Sequence, residues 1–138
     1  MRAKRHLLVM GVAGMAALGA VFVTVPASAA PKPIKVVSCE LKYACLYYNS
    51  NLNGAMFKHR YNVSDYAGWR FEASSRGSAG AGEYVKNHAA SVDNWDPDNG
   101  IRIYTNSNYQ GNWDGFPPFD SHNLDVAKNN NASGKWDH

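Results

Sequence analysis

The chain has 138 residues, 45% hydrophobic and 18% charged, with 14 Lys and Arg against 11 Asp and Glu. Three of the basic residues, Arg2, Lys4 and Arg5, stand in the first five positions, and the rest of the chain is balanced at 11 and 11. That balance excludes the basic footprint of a nucleic-acid binder, and the length suits one domain with a modest core.

Met1 to His6 is basic, Leu7 to Val25 is apolar and uncharged, and Pro26-Ala27-Ser28-Ala29-Ala30 closes the run with small residues. This is the three-part layout of a secretory signal peptide, with cleavage expected after Ala29. The expected product is extracellular, monomeric and free of the membrane. Residues 30–38 form a Pro- and Lys-rich arm, extended and mobile at its start. Residues 39–138 are read as a single domain.

Cys39 and Cys45 are the two cysteines of the chain. In an oxidising compartment an even count this close together reads as one disulfide. The ring is small, so loop entropy assigns it about 2 to 2.5 kcal/mol, and it staples the arm to the first strand.

Cys39 to Tyr48 contains a β-type run, Asn49 to Gly54 is a polar turn, and Ala55 to Tyr61 carries the chain out again. Asn62 to Trp69 is a loop with aromatic anchors. Ser74 to Gly82 is small and Gly-rich, and reads as a surface insertion with some disorder. Asp96-Pro97-Asp98-Asn99-Gly100 is a strong turn and the linker to a second half. That half runs from Ile101 to Tyr104, through a turn, to Asn112 to Phe119, and after a loop ends at Ala132 to Trp136.

The two halves repeat each other. Leu46-Tyr47-Tyr48-Asn49-Ser50-Asn51 recurs as Ile103-Tyr104-Thr105-Asn106-Ser107-Asn108 at an offset of 57, with Gly54 over Gly111. Each copy is followed by Ala-Ser-x-x-Trp if one residue of slack is allowed: Ala90-Ser91 to Trp95, and Ala132-Ser133 to Trp136. Motif one spans 39–96 and motif two 100–138, each supplying about four strands. The expected fold is an all-β, antiparallel Greek-key β-sandwich, with Trp95 and Trp136 in equivalent core positions.

The aromatic-to-glycine turns (Tyr48 to Gly54, Tyr104 to Gly111) followed by Ala-Ser resemble the βγ-crystallin Greek-key motif. In that motif the aromatic packs over the turn glycine and the Ser ties the folded hairpin. Cys39-x5-Cys45-x-Tyr47 ahead of such a motif resembles the small bacterial peptidase inhibitors typified by the Streptomyces metalloproteinase inhibitor. The resemblance implies a βγ-crystallin-like protein that inhibits an extracellular protease, a zinc metalloprotease above all, by substrate-like loop binding. It places the inhibitory loop at Asp114, Gly115, Phe116 and Pro117, with Gly115-Phe116 as the reactive bond. The typical inhibitor braces this loop with a second disulfide, which this chain lacks; Pro117-Pro118 is the expected substitute. The competing reading is a βγ-crystallin-like calcium-binding, structural or carbohydrate-binding module without inhibitory activity. Its calcium candidates are Asn87 and Ser91, and Asn130 and Ser133, within Asn87-His88-x-x-Ser91 and Asn129-Asn130-x-x-Ser133. They offer no carboxylate, so weak calcium binding at most is expected and no other cofactor. The sequence carries no Gly-x-Ser-x-Gly, His-Glu-x-x-His or phosphate loop, and its histidines keep no metal-ligand spacing, so no enzyme is expected.

Overall fold

A computed structural model describes Gly14 and residues 16–138. Contacts divide the chain into Met1–Pro31 and Lys32–His138. In the first part the described residues carry no helix or strand, and the basic start of the signal reading lies outside the described residues. Among the described residues, no helix is long and apolar enough to cross a membrane.

Residues 32–138 form two antiparallel sheets. β1 (Ala44–Asn49) and β2 (Asn53–His59) make a hairpin, and β3 (Ser91–Asn94) pairs with β1 on its other side. β4 (Ile101–Asn106) and β5 (Gln110–Phe116) repeat the hairpin, and β7 (Ser133–Trp136) flanks β4. The offset of 57 holds through both hairpins. Ala44 faces His59 and Tyr47 faces Met56; Ile101 faces Phe116 and Tyr104 faces Trp113. Tyr47, not Tyr48, is therefore the counterpart of Tyr104.

The third strands change sides. β6 (Ser121–Asn123), from motif two, pairs with β3 of motif one. Val63, from motif one, pairs with Gly134 of β7 through two 2.9 Å backbone hydrogen bonds. The sheets run β2-β1-β3-β6 and β5-β4-β7. Leu46, Val92, Ile101, Ile103 and Phe116 alternate inward and fill the core between them.

The serines behave as the motif requires, twice. Ser91 Oγ donates to the Asn49 carbonyl at 2.6 Å and accepts from the Leu52 N–H at 3.0 Å. Ser133 Oγ donates to the Asn106 carbonyl at 2.7 Å and accepts from the Tyr109 N–H at 3.0 Å. Each hydroxyl pins the turn of its hairpin back over the sheet, and Gly54 and Gly111 reverse the chain there at φ of 88° and 81°.

Two expectations are corrected. Trp95 is 41% exposed and its indole N–H donates to Asp93; the residue in register with Trp136 is Asn94. The Ala-Ser-x-x-Trp echo takes no slack, and a shift of one residue moves a side chain to the other face of the sheet. The Ser74 to Gly82 segment is not a loose insertion. Glu72 and Met56 exchange backbone hydrogen bonds of 2.8 and 2.9 Å, Ala55 N–H donates to Ala79, and Ser74 Oγ donates to Gly54. Tyr48 lies over Gly80, where a Cβ would come within 2.1 Å of its ring. The first aromatic thus covers a glycine of this segment rather than the turn glycine.

The arm is fixed before the disulfide. Val37 donates to Ala73 and accepts from Ser75, both at 2.9 Å. Cys39 and Cys45 form the expected disulfide, with Cα atoms 5.9 Å apart. Val37, Cys39 and Tyr43 pack on Cys45, Tyr47 and Met56, the outward face of β1 and β2, as a second small apolar cluster.

Candidate functional site

β5 ends at Phe116, and the chain then makes a tight turn from Pro117 to Asp120 before β6. The Asp120 N–H donates to the Pro117 carbonyl at 3.1 Å, and the Phe119 N–H to the Asp96 carbonyl at 3.1 Å. Pro118 is the first central residue, where its fixed φ suits a turn, and Phe119 is the second, with φ 55°. A left-handed phenylalanine is an uncommon, strained conformer. Its side chain is 63% exposed, at the tip of the turn.

Beneath the turn lies Asn94, fully buried. Its amide nitrogen donates to the carbonyls of Asn99, Phe116 and Pro117 at 2.9 to 3.0 Å, and its oxygen accepts from the Asp96 N–H at 2.9 Å. One side chain therefore holds both the linker and the entry to the turn. The Asn94 N–H donates to the Asp120 carbonyl, so the exit is held by the same residue. The His122 ring stacks on Phe116 at 4.1 Å, with Nε2 3.2 Å from the Gly115 carbonyl. These contacts brace the end of a loop that has no cysteine in this chain.

The four predicted loop residues have different fates. Asp114 is committed to structure: its carboxylate accepts from the N–H groups of Asp125, Val126 and Ala127. Gly115 lies within β5. Phe116 is 1% exposed and packed in the core opposite Ile101, so it cannot enter a protease pocket without the end of β5 coming apart. Pro117 begins the exposed turn. The apolar side chain actually presented is Phe119, at the far end of the loop. Asn94 was missed altogether. Its signal was the repeat read without slack, which sets an amide in motif one at the position that the buried Trp136 holds in motif two.

The calcium candidates also have other duties. Ser91 and Ser133 are fully buried and saturated by the turns they pin. Asn87 and Asn129 stand at the same place in the two motifs, with φ of 65° and 52°. Each follows a lysine, Lys86 and Lys128. Lys86 Nζ donates to Asp65 and to Ser107 Oγ, both at 3.0 Å, and this bond holds the Asp65 carboxyl below its ordinary range. Lys128 lines the matching crevice with Asn49, Ser50, Asn87, His88 and Asn129. Calcium takes several oxygens, preferably charged. Around these positions the chain offers amides and hydroxyls, with the Asp65 carboxylate already paired to Lys86. Asn130 is exposed. Among the described residues no cluster of three His, Cys, Asp or Glu could hold a metal.

The sequence model of a known family, peptidase inhibitor family I36, matches residues 34–116. The chain belongs to peptidase inhibitor family I36. Membership makes the protein a non-enzymatic inhibitor rather than a hydrolase, and agrees with the resemblance carried by Cys39, Cys45 and the turn motif. The match ends at Phe116, immediately before the exposed turn. No curated protein matches the chain.

Among solved structures, the domain described under "Evolution of the eye lens beta-gamma-crystallin domain fold" aligns with a TM-score of 0.58 at 17% identity, covering 75% of this chain and 93% of that one. The N-terminal domain of Protein S aligns with a TM-score of 0.51 at 17% identity, over 69% and 94%. A βγ-crystallin domain from Clostridium beijerinckii gives 0.50 at 15%, over 69% and 97%. At these identities the likeness is one of fold, and it confirms the two-motif Greek-key sandwich.

Proposed function

We propose that this family I36 inhibitor is secreted and blocks an extracellular zinc metalloprotease by presenting the Pro117–Asp120 turn to the protease cleft, with Phe119 entering an apolar pocket. The observation that carries this reading is Phe119 itself. A large apolar side chain stands 63% exposed on a strained φ, on a turn anchored from below by a buried amide. Strain held in place by surrounding structure is a mark of functional segments. A loop already fixed in its bound shape loses little entropy on binding, which is what tight inhibition requires. The aromatic ring favours a protease with an apolar specificity pocket, as thermolysin-like enzymes have. The disulfide and the leader favour an extracellular setting.

The test is thermolysin inhibition by the mature protein and by Phe119→Gly. Glycine adopts φ 55° without strain, so this variant keeps the fold and loses only the side chain. Inhibition by the parent that weakens at least tenfold in the variant, at unchanged or higher Tm, is the expected result. Full inhibition by the variant would move the site away from the turn. A parent inactive against thermolysin and related zinc proteases would overturn the metalloprotease target.

A further inference from the structure

We infer that the inhibitor meets its protease with two turns: the disulfide-closed turn at residues 40–43, with Leu41 at its tip, docks on the protease beside the Phe119 turn. The inference rests on the reading that Phe119 enters a protease cleft, and extends that contact to a second segment. β1 and β6 flank β3 and both run antiparallel to it, so both begin at the end where β3 finishes. The chain enters β1 through residues 40–43 and β6 through residues 117–120. Trp95 and Asp96 continue the line of β3 between the two. The Lys42 N–H donates to the Trp95 carbonyl at 3.0 Å and the Trp95 N–H to the Tyr43 carbonyl at 2.9 Å. On the other side the Phe119 N–H donates to the Asp96 carbonyl at 3.1 Å. The two turns therefore stand two strand spacings apart, about 10 Å.

They are also built alike. The Tyr43 N–H donates to the Glu40 carbonyl at 3.1 Å, as the Asp120 N–H does to that of Pro117. Leu41 and Pro118 take the first central position, and Lys42 and Phe119 the second, with φ of 73° and 55°. Each turn is braced. Residues 40–43 lie inside the Cys39–Cys45 ring, with Lys42 ion-paired to Asp98, and residues 117–120 sit on Asn94. A turn fixed in this way loses little entropy on binding. Leu41 is 58% exposed, and Trp95, on the segment between the turns, is 41% exposed. The opposite end of the same strands carries the exposed polar residues Asn51, Asn53 and Asn123. Area points to the occupant. A specific interface takes about 800 Å² from each partner, and a single turn supplies a fraction of that. A protease seated on Phe119 must therefore cover the surface beside it. Leu41 packs in neither apolar cluster of the fold, whereas Trp113, on the other side of the turn, already has Arg102 over its ring.

The experiment measures inhibition of thermolysin, and of a panel of other secreted proteases, by the mature protein and by Leu41→Ala, Leu41→Arg, Phe119→Gly and Trp113→Ala. The expected result is a parent that inhibits, with Leu41→Ala weaker by about threefold to tenfold and Leu41→Arg by about tenfold or more, both at unchanged Tm. Trp113→Ala is expected to inhibit as the parent does. Parental inhibition by both Leu41 variants, with Phe119→Gly weakened, would overturn the second contact and leave the Phe119 reading standing. Parental inhibition by Phe119→Gly, with Leu41→Arg weakened, would overturn the Phe119 reading and the two-turn surface with it. Weakening by Trp113→Ala and not by the Leu41 variants would put the protease on the other side of the turn and overturn the assignment. A mature protein that dimerises, and is monomeric as Leu41→Arg, would put a second copy on this surface and overturn it too. A parent inactive against the whole panel would overturn both the surface and the reading beneath it.

Discussion

His59 and Phe116 hold the same place in the two motifs, each at the end of its second strand and opposite an aliphatic residue of the first. The histidine is buried, and its position explains how it is tolerated. Nδ1 lies 2.8 Å from the Tyr61 carbonyl and so carries the proton, leaving Nε2 to accept from the Tyr66 hydroxyl at 3.0 Å. Burial lowers the His59 pKa to about 4 and pushes the Tyr66 hydroxyl well up.

Acid sensitivity follows from that histidine. Its unfolded-state pKa is about 6.5, so between pH 6.5 and 4 the unfolded chain binds more protons than the folded one. Stability is then complete above pH 6.5 and falls as the pH drops, by about 3 kcal/mol once pH 4 is reached. Urea melts across this range check it. His59→Phe, which copies motif two, flattens the pH profile. It also costs about 1 to 3 kcal/mol at neutral pH, because the Tyr66 hydroxyl loses its acceptor.

Ser91→Ala and Ser133→Ala each remove two hydrogen bonds from a fully buried site and strand an N–H and a carbonyl. Each is expected to cost about 1 to 3 kcal/mol, and because the two geometries match, the two costs agree within about 1 kcal/mol. Equilibrium denaturation of both variants is the measurement. A large loss in one and none in the other would show that the two hairpins are not equally dependent on their serines.

Asn94→Ala leaves the Phe116 and Pro117 carbonyls without their shared donor, at an expected cost of about 2 to 4 kcal/mol. With the turn loosened, the variant is expected to be cleaved by its protease and to inhibit only transiently, while Phe119→Gly is stable and inhibits at least tenfold more weakly without decaying over time. Time courses of residual protease activity separate the two behaviours.

Millimolar calcium is expected to shift Tm by less than about 1 °C, since a ligand stabilises only as it binds the folded state. Lys86 is already paired with Asp65, and Lys128 lines the crevice of Asn87 and Asn129. A rise of several degrees that EDTA reverses would show that backbone oxygens outweigh the lysines.

Much of the architecture was legible because the repeat is long and its offset constant. Tyr47 over Tyr104 and Gly54 over Gly111 set the hairpins, and the two serines set where the fourth strands return. What misled was local resemblance at the edges of that frame. Trp95 looked like a partner for Trp136, yet one residue of slack is enough to turn a side chain from core to solvent. Phe116 beside two prolines looked like loop, although its offset from His59 marks it as strand and core. Ser74 to Gly82 looked flexible by composition. Its small residues instead let backbone approach β2 and Tyr48 closely, a tertiary use of glycine that local composition does not distinguish from disorder.

The exchange of third strands makes each half structurally dependent on the other. Val63 completes the sheet of motif two and Ser121–Asn123 completes that of motif one. The covalent link between them is the short turn from Pro97 to Gly100. A nick between Asp98 and Asn99 would therefore convert the molecule into a two-chain assembly whose melting depends on concentration. Either fragment expressed alone would lack a strand that only its complement can return.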